Sequence, residues 1–166
     1  MIGLSKKEIE IISWLEFHEK YFFTSSDIDK FAGNMAQRYN IIKNLVKKKR
    51  ISKLNKTKYY LVPIKAKSGK WSENPFIIVD EICNNRDYFI GGWAAANYWK
   101  LTDQIPMRTD VYTTRRQGKI SILNTKIIFH RTSKKMLEKA VARFVQGHAI
   151  RILSKKESKK WLKSRE

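Results

Sequence analysis

The pair Gly33-Asn34 splits a helix-forming stretch into a short piece and a longer one, and this break constrains the first sixty residues more than any other feature. Glycine ends a helix readily by taking positive φ, and asparagine caps the next one by accepting an orphan N–H. Upstream, Ser5 with Glu8 has capping-box spacing, and Ile9, Ile12, Leu15 and then His18 or Glu19 follow helical steps to about Lys20. Tyr21-Phe22-Phe23 reads as extended, and Thr24 with Asp27 opens a second helix over Ser25–Ala32. A third helix is expected from Met35 to about Lys49. Its periodicity predicts Met35, Tyr39, Ile42, Leu45 and Val46 inside, with Gln37, Arg38, Asn40, Lys43, Asn44 and Lys47 outside. Ile51–Leu54 and Lys58–Val62 flank the polar turn Asn55-Lys56-Thr57, which makes a hairpin. Three helices with a short-turn-long pair, then a basic hairpin, form a winged helix-turn-helix over residues 1–62.

Charge points the same way. The chain carries 35 Lys and Arg against 15 Asp and Glu, a formal net charge of +20. Thermophilic proteins match lysine with glutamate in ion-pair networks, and no such match exists here. The 43 residues between Asp29 and Glu73 hold 13 cations and no carboxylate. Solubility alone would retain acids, whereas a surface laid against phosphates excludes them. In the expected DNA-binding arrangement Gln37, Arg38, Asn40 and Asn44 reach base edges. Lys43, Lys47, Lys53, Lys56 and Lys58 hold the backbone.

Residues 63–74, with Pro63, Ser68, Gly69 and Ser72, lack sustained periodicity and read as a linker. Beyond them a small α+β domain is expected over 75–166, so the overall class is α+β. It comprises a helix from Pro75, a strand Asp87–Ile90, and a Gly91-Gly92 turn into the apolar helix Trp93–Trp99. Three antiparallel strands follow, Thr109–Thr114, Lys119–Leu123 and Lys126–Arg131. Ser133–Ala142 reads as helix, Ala149–Leu153 as a last strand, and Lys155–Arg165 as a basic amphipathic helix able to make a second phosphate contact.

The order of these segments resembles a known family. A hairpin ending Tyr59-Tyr60-Leu61-Val62-Pro63, then Tyr88-Phe89-Ile90-Gly91-Gly92-Trp93-Ala94-Ala95-Ala96-Asn97-Tyr98-Trp99, then Leu101-Thr102-Asp103-Gln104-Ile105-Pro106, is similar to the AbiEi family. Phe129-His130-Arg131 and Ile150–Ser154 also fall where that family has strands. Its members are antitoxins of type IV toxin–antitoxin systems. The resemblance implies an autoregulating repressor that binds its own operator, an inverted repeat, as a monomer or weak dimer. It also implies a second domain that counteracts a nucleotidyltransferase-like toxin.

Catalysis is not expected. Gly91-Gly92 followed by Asp110 invites comparison with nucleotidyltransferases, but two metal ions need at least two convergent carboxylates, and Tyr112 stands where the second would be. His18, His130 and His148 lie on separate elements without metal-ligand spacing, so neither metal nor cofactor is expected. The single cysteine, Cys83, precludes an internal disulfide and fits a reducing cytoplasm. Met1–Glu8 lacks the pattern of a secretory leader, and no apolar run is long enough for a bilayer. Three rivals to the repressor stay open: an RNA-binding module, a degenerate nucleotidyltransferase-like protein and a pure protein-interaction adaptor.

Overall fold

A computed structural model describes residues 3–66 and 71–165. The chain is mixed α+β and divides between Trp71 and Ser72 into two compact units. The middle of the expected linker, residues 67–70, lies outside the described residues. Its first part belongs with the N-terminal unit. Pro63 and Ala66 are buried, and the Ile64 N–H donates to Glu16 Oε1 at 2.7 Å.

The first unit begins with α1 (Lys6–Phe17), whose Ser5–Glu8 capping box forms as the spacing predicts. It stops three residues short of Lys20, where Glu19 takes positive φ. β1 (Phe22–Thr24) leads into the expected second helix, which is a 3-10 helix over Ser25–Phe31. Thr24 and Asp27 still cap it reciprocally. Gly33 does not use positive φ; Ala32 leaves the helix in extended backbone, and Asn34 caps α2 (Met35–Lys47) by accepting from the Gln37 N–H at 2.8 Å. β2 (Ile51–Lys53) and β3 (Lys58–Leu61) form the hairpin, and β1 joins it antiparallel, giving the order β1-β3-β2. Ile11, Ile12 and Leu15 of α1 meet Phe23, Ile28, Ile41, Ile42, Leu45, Ile51 and Leu61 in one core. Burying such side chains contributes about 1.5–3 kcal/mol each.

The stripe predicted to be buried on α2 is corrected. Met35, Tyr39 and Val46 are 75%, 66% and 39% exposed, while Ile41, Ile42 and Leu45 are buried. The helix is turned by less than a quarter revolution from the expected orientation, and Ile42 and Leu45 are common to both stripes.

The second unit holds α3 (Pro75–Cys83), β4 (Tyr88–Gly91), α4 (Gly92–Tyr98), β5 (Thr109–Thr113), β6 (Gly118–Ile122) and β7 (Thr125–Arg131). After these come α5 (Lys134–Leu137), β8 (Ala140–Val145), β9 (His148–Leu153) and α6 (Lys155–Lys163). The strands form one sheet of order β6-β7-β5-β4-β9-β8. Two expectations are corrected. The three central strands are not all antiparallel: β6 pairs antiparallel with β7, but β5 pairs with β7 in parallel and never with β6. The segment expected to be a helix to Ala142 ends at Leu137 and turns into β8, whose hairpin to β9 runs through Gln146 and Gly147, both at positive φ. Two consecutive positive-φ residues match strand twist, as hairpin turns require. α3 packs on β9 and β5, and α4 on β5 and α6. Among the described residues no helix is long and apolar enough to cross a membrane.

Candidate nucleic-acid interface

The outward face of α2 follows from what the core takes. Once Ile41, Ile42 and Leu45 face inward, helical geometry turns Ala36, Asn40, Lys43 and Lys47 directly outward, flanked by Tyr39 and Asn44. All six are exposed. Four expected contact residues, Asn40, Lys43, Asn44 and Lys47, therefore share one surface without a carboxylate among them.

Gln37 and Arg38 are used differently. Gln37 reaches back over the helix start, where its Oε1 accepts from the Gly33 N–H at 2.6 Å, which completes a reciprocal cap with Asn34. Its side chain is engaged at the helix end, not held out from the face. Arg38 lies on the half-buried flank of α2, with its guanidinium on the Asp29 carboxylate of the 3-10 helix.

The hairpin carries the rest. Asn55 Oδ1 accepts from the N–H groups of Thr57 and Lys58, each at 2.9 Å, which ties the turn into a fixed shape. Lys53 and Lys56 are exposed and Lys58 is half-buried. An Asx-turn presents Lys56 at the tip with little backbone freedom, and that favours repeated contact with a regular polyanion. Lys48, although basic and at the C-cap of α2, does not join this surface. Its Nζ donates to the buried Glu8 carboxylate at 2.6 Å. Burial alone would raise the Glu8 pKa, but donors from Lys48 and Ser5 hold it below the ordinary value. The exposed Tyr39 and Met35 were assigned to the core by periodicity; their exposure adds an apolar, aromatic margin suited to thymine methyls or sugar edges.

A scan against models of protein families gives no match to this chain, and a search of curated proteins gives none either.

The second unit places its singled-out residues as follows. Asp110 on β5 is 5% exposed and sits opposite Gly91 in register. Its Oδ1 is 2.7 Å from His130 Nε2 on β7. Spacing missed this pair, because β5 and β7 adjoin only through parallel pairing. Tyr112 is stacked between Phe89 and His130 at centroid distances of 5.0 and 4.8 Å. Burial, then the Asp110 charge, raises its pKa. No group of three or more His, Cys, Asp or Glu able to hold a metal occurs among the described residues. His18 packs on Trp14, and His148 lies 3.6 Å from Asp80 and Glu81. Cys83 is buried, and burial pushes its thiol pKa up to about 12. The Leu101–Pro106 segment is a loop held by the Asn97 amide, which donates to Gln104 O at 3.1 Å. On α6, Glu157 binds both Lys139 and Lys160 at 3.0 Å, while Trp161 meets Trp93 edge to face. That helix is docked by its aromatic side and turns its lysines outward.

Proposed function

We propose that the N-terminal unit is a winged helix-turn-helix and that the chain is a sequence-specific duplex-DNA-binding repressor. In this reading the 3-10 segment and α2 are the helix-turn-helix, α2 is the recognition helix, and the β2–β3 hairpin is the wing. The observation that carries it is the acid-free face of α2, where Asn40, Lys43, Asn44 and Lys47 stand exposed in the same unit as a turn-locked hairpin bearing Lys53 and Lys56. Asparagine offers the donor and acceptor that adenine presents in the major groove, and lysine neutralises flanking phosphates. Gln37 and Arg38 support α2 from its cap and its flank.

The order of segments shared with the AbiEi family supports the further step to an autoregulating, cytoplasmic type IV antitoxin. Such a protein binds an inverted-repeat operator, with a nucleotidyltransferase-like toxin as its protein partner. No catalytic step is assigned.

Fluorescence anisotropy on a duplex from the gene's own upstream region, against a scrambled duplex of equal length, tests the reading. At about 150 mM salt a preference of ~10³-fold or more is expected. Equal, salt-sensitive binding to both would sink it, and tighter binding to a matched RNA would put the RNA module first.

A further inference from the structure

A second cationic site lies in the C-terminal unit. A cavity of about 340 Å³ opens on the β6–β7 side of the six-stranded sheet. Three cations line it, each from a different segment: Arg108 from the residues before β5, Lys119 from β6 and Lys126 from β7. Register explains the convergence. Lys119 pairs with Ile128 and Ser121 with Lys126, so these four side chains alternate onto one face of the hairpin. No carboxylate lines the cavity. The nearest acid along β5, Asp110, lies 2.7 Å from His130 Nε2 and 3.4 Å from Arg108 Nε, so it offsets part of the charge of one of the three cations. Lys119 and Lys126 meet no carboxylate in the cavity lining, so the site favours a multiply charged anion. The remaining wall is apolar, from Met107 and Ile128, and a bare inorganic anion would leave it wet. The volume stands at the lower end of the ~300–1,000 Å³ usual for small-ligand sites.

We propose that this cavity binds a mononucleotide, with its phosphates on Lys119, Lys126 and the guanidinium of Arg108 and its base against Met107 and Ile128. The site is independent of the α2 face and requires no reaction.

Isothermal titration of the full chain with ATP, pyrophosphate and adenosine tests it. Wild type should bind ATP saturably at one site, and pyrophosphate about tenfold more weakly, since that probe forgoes the apolar wall. Lys119→Ala combined with Lys126→Ala should weaken ATP by about tenfold or more, as two charge-assisted contacts are lost. Lys53→Ala with Lys56→Ala removes equal charge elsewhere and should leave ATP affinity unchanged. Equal losses in the two double variants would overturn the site, as would the absence of saturable binding. Pyrophosphate binding as tightly as ATP would overturn the nucleotide assignment.

Discussion

Lys48, the C-cap of α2, and Glu8 of α1 form a 2.6 Å ion pair across forty residues of chain, with side chains only 15% and 4% exposed. The pair ties the C-terminal end of α2 to α1. Lys48→Met would strand a buried carboxylate and should cost on the order of 3 kcal/mol, read as a lower denaturation midpoint. Glu8→Gln, which keeps a group able to accept from Ser5, should cost less. If Lys48→Met were as stable as wild type, the pair would contribute nothing to the junction.

Acid affects the two units in opposite senses. The folded-state pKa of Glu8 is lowered, so its stabilisation is present above the unfolded carboxylate value and disappears as pH falls through the folded one. Asp80 on α3 is fully buried, and burial raises its pKa even though the Tyr88 hydroxyl donates to it at 2.7 Å. Its contribution is fully present below the unfolded pKa and is lost as pH rises through the folded one. Asp80→Asn should therefore be no less stable than wild type at pH 7, and should abolish the part of the pH dependence that favours acid. Amide exchange on α1 and on α3 from pH 7 to pH 4 would resolve the two slopes.

Two classes of substitution should separate base reading from phosphate contact. Asn44→Ala is expected to cost about 1–3 kcal/mol on the native duplex and almost nothing on a scrambled one. Lys56→Ala should weaken both alike and reduce the salt slope by about one unit. Anisotropy across a salt series measures both, and a uniform loss in Asn44→Ala would remove that residue from base recognition.

Gly91→Ala tests the sheet. Gly91 has extended backbone, so φ is no obstacle, but an added Cβ would lie 2.6 Å from Tyr112 Cε2. That ring is held between Phe89 and His130 and cannot swing aside. Overpacking of about 1–3 kcal/mol is expected in thermal denaturation, partly relieved when Tyr112→Ala is added.

What the residues reveal unaided depends on how far apart the partners lie. Ser5, Thr24, Asn34 and Pro75 each mark a helix start correctly, because capping is a contact over two or three residues. The orientation of α2 is only partly legible, since Met35-Tyr39-Ile42-Leu45-Val46 and Ile41-Ile42-Leu45 are both helical stripes, and packing in the shared core of the unit selects the second. Lys134–Leu137 has helix-forming composition, yet the chain beyond it is captured by β9 as strand. The parallel pairing of β5 with β7 leaves no local mark, and so the Asp110–His130 contact was hidden until those strands were set side by side. Arg38 had the chemistry of a guanine reader, but Asp29, nine residues earlier, lies within its reach.

The sheet order carries a consequence for synthesis. β4 lies between β5 and β9, so the centre of the second unit stays open on one side until residues 148–153 leave the ribosome and Ile152 comes beside Ile90. The first unit ends at Trp71. At roughly 5–20 residues per second, several seconds separate the two completions. During that interval the first unit can finish folding, while β4 waits with an unpaired edge for β9 to be made.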